Sequence, residues 1–221
     1  HAPFGHAGEE ALDLASRSRG GPGFSHRDHG LRVVECLEQG GEGLNLTVET
    51  RDGIRTHSGP GLPDSLEAQV VRIVDRIAYV GHDIEDAVRD GVITAADLHS
   101  AAEELARTGD QRRRTLMDAL VAESDQRGEI ALPEETATAF HELRGFMFVR
   151  VYLAPPASEQ AARGRRVVAG LVDWYCDDTS RLPGAGGDDD LTRVIDHVAG
   201  MTDRYALGIY ERELLPSTAA R

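Results

Sequence analysis

Apolar residues recur at helical spacing along most of the chain. The longest periodic segment runs from Ser65 to Asp90, and at about 100° per residue its apolar side chains fall on one face. They are Leu66, Val70, Ile73, Ile77, Val80, Ile84 and Val88. Asp64 and Glu67 form a capping signature just after Pro63, and Gly91 supplies a stop. This pattern predicts one long amphipathic helix.

The same reasoning predicts helices on both sides of this segment. They cover residues 8–18, 27–39, 47–57, 94–107, 110–126, 133–153, 158–177 and 189–212. Pro155 and Pro156 end the helix that begins near Pro133, and residues 182–190, rich in Gly and Asp, predict a loop. No segment shows convincing alternation of period two, although residues 146–153 come nearest. The predicted fold class is all-α, with one domain over residues 1–221 and a helical extension from about residue 133.

Composition excludes several classes of protein. The 221 residues carry 24 basic and 38 acidic side chains, a formal charge of −14 that argues against a nucleic-acid or anionic membrane surface. No apolar run is long enough to span a membrane and no secretory signal is visible, so we expect a cytoplasmic protein. Two cysteines, Cys36 and Cys176, cannot build a disulfide framework or a Cys-rich zinc module. Every basic side chain other than histidine is arginine, which excludes a P-loop and Schiff-base chemistry.

The first candidate cluster opens the chain with His1, His6 and Glu9. Imidazole titrates near neutral pH, and a neighbouring carboxylate can orient it and raise its basicity. These residues could therefore form a proton-transfer centre. A histidine-rich start is equally typical of a frayed tail or of the remnant of a tag.

The second candidate cluster is a polar stripe opposite the apolar face of the long helix. It contains Asp75, Tyr79, His82, Asp83 and Asp86, with Arg76 beside them. Three carboxylates with a histidine and a tyrosine could hold a divalent metal and a polar substrate. Such a stripe is also what any surface helix shows.

A third candidate cluster consists of His26, Asp28 and His29. His26 and His29 lie one helical turn apart, which is compatible with metal ligation. Exposed histidines at the start of a helix would show the same spacing.

Five blocks of the chain carry a resemblance to a known family. They are HAPFGHAGE at 1–9, GFSH at 23–26 with LRVV at 31–34, GLNLT at 43–47 with DGI at 52–54, DRIAY at 75–79 with HDIED at 82–86, and AGMTDRYA at 199–206. In this order they resemble the HD-domain deoxynucleoside triphosphate triphosphohydrolases, above all the bacterial deoxyguanosine triphosphate triphosphohydrolase-like proteins. The resemblance implies an all-α HD-type domain.

The resemblance also implies metal-dependent hydrolysis of a deoxynucleoside triphosphate to deoxynucleoside and inorganic triphosphate. His6, with Glu9 behind it, matches the pair that acts on the scissile phosphate ester, where an imidazolium can protonate the leaving 5′-oxygen. His1 and His26 match histidines that line the phosphate site.

The long helix receives its own implied roles. Asp75 matches the last metal-binding aspartate, for which Mg²⁺, Mn²⁺ or Fe²⁺ would serve. Arg76 takes the place of a basic residue near the phosphates. Tyr79 and Asp83 match residues that pack against the deoxyribose and accept a hydrogen bond from its 3′-hydroxyl.

The chain also departs from the family pattern. The family's first metal-binding histidine and its His-Asp dyad would precede His1, so we expect this sequence to be the later part of a longer protein. Arg27 and His29 stand where the family usually has Asn and Gln. The resemblance implies a homo-oligomer and leaves a nucleotide effector open. The alternatives are a non-catalytic HD-like scaffold that binds a nucleotide or a partner, and an HD phosphohydrolase that acts on another phosphate ester.

Overall fold

The computed structural model describes residues 2–98, 105, 109–184 and 188–215, and these contain nine α-helices of seven or more residues and no β-strand. The prediction of an all-α fold is confirmed. The helices are α1 (Gly5–Ser18), α2 (His26–Arg32), α3 (Val48–Thr56), α4 (Leu66–Arg89), α5 (Gly109–Arg127), α6 (Glu134–Met147), α7 (Pro155–Asp177), α8 (Asp190–Ala199) and α9 (Asp203–Glu213). None of the helices within the described ranges is long and apolar enough to cross a membrane.

The helices form two compact units. The central unit is Leu44–Ala157, and the terminal unit combines His1–Gly43 with Ser158–Arg221. Each unit has its own hydrophobic core and is described by itself. The single domain over residues 1–221 therefore stays a prediction.

The core of the terminal unit is built by α1, α7, α8 and α9. Apolar side chains at helical spacing on α7 meet those of α8, and Leu12 of α1 packs among them with no exposed surface. The fully buried members of this core are Leu12, Val168, Leu171, Val172, Val194, Val198 and Ala206. Burying Leu12 fixes the rotation of α1, and therefore fixes which side chains of α1 face outward.

The core of the central unit is built by α4, α5 and α6. Its buried side chains include Ile77, Val80, Ile84, Leu116, Leu120, Leu143 and Met147. The apolar face predicted for α4 is buried only in its middle, because Leu66, Val70 and Val88 are 51%, 38% and 38% exposed. The predicted polar stripe lies on the opposite face of this same middle part of α4.

Local signals explain the ends of α4. Ser65, one residue after the predicted Asp64, is the N-cap, since its Oγ accepts a hydrogen bond from the amide of Ala68 at 3.2 Å. Gly91 ends the helix as predicted, and its φ of +71° is one that glycine adopts without strain. Thr94 and Asp97 then form the predicted reciprocal cap, but most of the predicted helix 94–107 lies outside the described residues.

Two of the predicted helices were wrong in extent. The segment 189–212 is two helices, because the chain breaks at Gly200 and Thr202 caps the second one by accepting the amide of Tyr205 at 3.2 Å. The segment 27–39 is α2 followed by a π-helical turn, Val33–Leu37, and Gln39 has a left-handed φ of +53° that ends it.

The segment 133–153 also divides into two parts. Helix α6 is followed by a second π-helical turn, Phe148–Tyr152. Pro155, which was expected only to end this segment, is also the first residue of α7, a position at which proline costs nothing.

Candidate functional site

A contact between Glu9 and His26 joins α1 to the start of α2. These two residues and His6, which lies one helical turn before Glu9, are here called the acid–base cluster. Glu9 Oε1 accepts a hydrogen bond from the backbone amide of His26 at 2.9 Å, and both Glu9 oxygens lie 2.9 Å from His26 Nδ1. The two side chains are only 18% and 20% exposed. Because an ionised carboxylate can only accept hydrogen bonds, this contact places a proton on Nδ1 of His26.

His6 occupies the first turn of α1, three residues before Glu9, and it is exposed. Glu9 is bonded to His26, and the pair of His6 and Glu9 stays a prediction. The contact brings together two blocks, at 1–9 and 23–26, that the sequence offered as separate clusters. His1 lies outside the described residues.

The helix that carries His26 is fastened by an ion-pair network. Arg32 Nε donates to both oxygens of Asp196 at 2.9 and 3.0 Å, and its terminal nitrogen donates to Asp196 and to Asp188 at 2.7 Å. These bonds join α2 to α8 and to the loop before it. Since Arg32 lies six residues after His26, the network fixes the end of the helix opposite to the Glu9 contact.

His29 completes this network. Its Nδ1 lies 3.5 Å from Asp196 Oδ1, both side chains are 13% exposed, and its ring centroid is 5.0 Å from that of Phe24. Burial lowers the pKa of His29, Asp196 opposes that change, and Arg32 adds to it. A neutral His29 therefore packs as part of the helix interface at neutral pH.

A cavity of about 630 Å³ opens beside this network. Its lining includes Arg19, Phe24, Asp28, His29 and Asp196, but none of the three residues of the acid–base cluster. The cavity follows from the Gly-rich turn between α1 and α2 and is separate from the proton-transfer groups.

In the central unit, Tyr79 and Asp83 of the predicted polar stripe are half-buried, whereas Asp75, His82 and Asp86 are exposed. Tyr152, the last residue of the π-helical turn after α6, donates a hydrogen bond from its hydroxyl to Asp83 Oδ2. Burial, followed by this hydrogen bond, raises the pKa of Tyr152 well above its ordinary value. Tyr152 is therefore a neutral donor that holds the Asp83 carboxylate in place.

Tyr79 and Tyr152 line a cavity of about 320 Å³, here called the tyrosine pocket. His141 and Arg144 add two basic side chains to it, and Val80, Gly145, Phe148 and Val149 complete the lining. Arg76 is not among the lining residues. Asp83 is not among the lining residues either, but it is bonded to Tyr152, which is one of them. An aromatic pocket with basic groups suits a ligand that has an apolar ring face and a negative charge.

The sequence analysis missed His141, Arg144 and Tyr152. A signal for them existed, because residues 141, 144, 148 and 152 follow helical spacing within the segment that was predicted as one helix. Asp196 had no comparable signal, since its partner Arg32 lies 164 residues away in the sequence.

Asp75 remains the only predicted metal ligand in this chain. Within the described ranges, no group of three or more His, Cys, Asp or Glu side chains could hold a metal ion. The third candidate cluster, His26 with Asp28 and His29, forms no such group either. The side chains of the described ranges therefore do not complete a metal site by themselves.

The C-terminal part of the chain matches a known protein domain. Residues 130–212 match the model of the phosphohydrolase-associated domain, which covers α6 to α9. This part of the chain therefore matches a domain that is associated with phosphohydrolases.

Curated relatives then define the family. A deoxyguanosinetriphosphate triphosphohydrolase-like protein of Caldanaerobacter subterraneus subsp. tengcongensis is 38% identical over 98% of this chain and 65% of its own length. Proteins of the same name from Desulfatibacillum aliphaticivorans and Rhodopseudomonas palustris (strain HaA2) are 33% and 32% identical over 98% and 96% of this chain, and over 68% and 72% of their own lengths. The chain belongs to this family, as its five sequence blocks predicted, and spans about two thirds of the length of these relatives.

The buried His29 predicts a pH-dependent stability. In the unfolded chain a histidine binds a proton as the pH falls through about 6.5, whereas folded His29 resists protonation until a lower pH. The unfolded state then binds more protons, so the free energy of unfolding falls as the pH drops below about 6.5. We expect a smaller loss of the free energy of unfolding on acidification in His29→Gln than in the wild type. Part of the loss should remain in this variant, because burial also lowers the pKa of His197.

Urea unfolding between about pH 7.5 and pH 5 measures the effect. His82→Gln, which removes an exposed histidine from α4, serves as the matched control and should keep the wild-type pH dependence. Parallel curves for His29→Gln and the wild type would contradict the interpretation of His29.

Proposed function

We propose that this phosphohydrolase converts deoxynucleoside triphosphates, dGTP among them, to deoxynucleoside and inorganic triphosphate. The observation that carries the proposal is the Glu9–His26 pair, found in a chain that aligns over 98% of its length with deoxyguanosinetriphosphate triphosphohydrolase-like proteins. In this reaction water adds to the α-phosphorus and the bond from that phosphorus to the 5′-oxygen breaks. The leaving 5′-oxygen takes up a proton.

The acid–base cluster supplies that proton. Glu9 orients the ring of His26, and His6 lies one turn before Glu9 on α1. An imidazolium of this cluster donates to the 5′-oxygen as the bond breaks, which removes the cost of releasing an alkoxide. His1 and His26 are proposed to line the phosphate site as well.

The tyrosine pocket is assigned to the sugar. Tyr79 packs against the deoxyribose, and Asp83, held by Tyr152, accepts a hydrogen bond from the 3′-hydroxyl. A carboxylate has acceptor capacity for both hydroxyl groups. His141 and Arg144 line the same pocket and, together with Arg76, are proposed to offset phosphate charge in a protein of net charge −14.

Asp75 is proposed as one ligand of a divalent metal ion, Mg²⁺, Mn²⁺ or Fe²⁺, in the full-length protein. The resemblance is the support for this role. Assembly into a homo-oligomer, control by a nucleotide effector and a cytoplasmic location are further proposals on the same footing.

Product analysis tests the reaction. The protein is incubated with each deoxynucleoside triphosphate and a divalent metal in ¹⁸O-water, and the products are followed by ³¹P NMR. We expect inorganic triphosphate that carries one ¹⁸O atom at a terminal phosphorus. Release of pyrophosphate or monophosphate would overturn the proposal in favour of another phosphohydrolase activity. Nucleotide binding without turnover would overturn it in favour of a non-catalytic scaffold.

The role of Asp83 predicts how the enzyme treats a substrate that lacks the 3′-hydroxyl. We expect wild-type kcat/KM to be about 10-fold or more lower for dideoxy-GTP than for dGTP, because the half-buried Asp83 then lacks the hydrogen bond from the substrate. In Asp83→Ala the preference for dGTP should vanish, since no acceptor remains.

Asp86→Ala is the matched control for this experiment. Asp86 is exposed one turn further along α4 and pairs with Arg89. It should keep the wild-type preference for dGTP. An undiminished preference in Asp83→Ala would show that the 3′-hydroxyl binds elsewhere.

A further inference from the structure

The residue two positions before His6 has a strained backbone. Phe4 has φ +62° and ψ +24°, a left-handed conformation that is uncommon for a bulky side chain. Gly5, the first residue of α1, follows with φ +57°. Conformations of this kind persist only where the surroundings enforce them, and they cluster at functional sites.

Several contacts enforce this turn of residues 2–5. The amide of Phe4 donates to Asp203 Oδ1 at 2.9 Å, and the amide of Gly5 donates to the carbonyl of Ala2 at 3.1 Å. Close packing adds to these bonds, because a Cβ atom on Gly164 would lie 2.7 Å from Cβ of Phe4. A Cβ atom on Gly8 would overlap the carbonyl oxygen of Pro3. The turn is thus held against α7 and against the second turn of α1.

Among these contacts, the hydrogen bond that Asp203 accepts from the amide of Phe4 is the one that involves a polar side chain far away in the sequence. Asp203 is the first residue of α9 and lies 199 residues from Phe4. The N-cap of α9 is Thr202, whose hydroxyl accepts the amide of Tyr205. The carboxylate of Asp203 is therefore not needed to cap its own helix.

We propose that Asp203 is a positioning residue for His6. By holding the amide of Phe4, it fixes the left-handed turn that sets the start of α1 and the direction in which His6 leaves the helix. This inference rests on the proposed function, because it assigns the consequence of misplacing His6 to the chemical step. The binding groups of the tyrosine pocket belong to the other unit and are not part of the turn.

The test compares Asp203→Ala with Asp203→Asn in the full-length protein. We expect kcat for dGTP to fall about 10- to 100-fold in the alanine variant with KM within about twofold, since a displaced proton donor slows chemistry more than binding. Asp203→Asn should restore most of kcat, because its side-chain oxygen can still accept the amide of Phe4.

Asp190→Ala is the matched control. Asp190 is the first residue of α8, as Asp203 is of α9, and it pairs with the nearby Arg193. Both substitutions remove an acidic group from a helix start, so both lose the same favourable interaction with the helix dipole. The control should leave kcat near the wild-type value.

Two readouts separate this inference from the proposed function. Hydrogen exchange of the Phe4 amide and the NMR signals of the His6 ring report on the turn without any substrate. Faster exchange and shifted His6 signals in Asp203→Ala, absent in Asp190→Ala, together with the loss of kcat, support the proposal. Equal kcat in the two variants, or Phe4 exchange unchanged by Asp203→Ala, overturns it. A wild-type protein that hydrolyses no deoxynucleoside triphosphate refutes the proposed function instead, and the two NMR readouts then decide whether Asp203 orders the turn.

Discussion

The contact between Glu9 and His26 is the constraint on which the candidate chemistry depends. A largely buried carboxylate that accepts both the backbone amide and Nδ1 of one histidine fixes the position, ring orientation and tautomer of that histidine together. Hydrogen bonds to a charged group contribute about 1.5–3 kcal/mol each, so the contact also joins α1 to α2. Other contacts of the terminal unit hold the two helices that carry this pair. The hydrophobic core holds α1, and the ion pair between Arg32 and Asp196 holds α2.

Helical periodicity predicted the all-α class and the approximate extent of most helices, because an apolar stripe reports directly on which face is buried. It missed the break before Thr202, where one capping hydroxyl decides between one helix and two. It also missed both π-helical turns, which change the direction of side chains without changing composition. Block resemblance supplied His6, Glu9 and His26, but which histidine Glu9 contacts depends on how α1 and α2 pack. The contacts of Arg32 with Asp196 and of Phe4 with Asp203 join residues 164 and 199 positions apart, so the local sequence pattern could not predict them.

The acidity of the chain sharpens the functional argument. A net charge of −14 repels a triphosphate, so a phosphohydrolase of this composition needs local groups of opposite sign. The tyrosine pocket supplies Arg144, which lines it together with three aromatic side chains. Arg32, by contrast, is ion-paired with two carboxylates, those of Asp188 and Asp196, which also raise its pKa. Arg32 thus has a structural role, whereas Arg144 lines a cavity.

The most direct test of the central claim compares the effect of Glu9→Gln on two substrates. One is dGTP, and the other is its analogue with sulfur in place of the 5′-oxygen, whose thiolate leaves without needing a proton. Removing the carboxylate that orients the histidine should lower kcat for dGTP by about 10²- to 10⁴-fold but should affect the thio-analogue far less. Glu10→Gln, the neighbouring exposed residue that pairs with Arg165, should leave both rates near wild type. Equal losses on the two substrates, or no loss in Glu9→Gln, would contradict proton donation by this cluster.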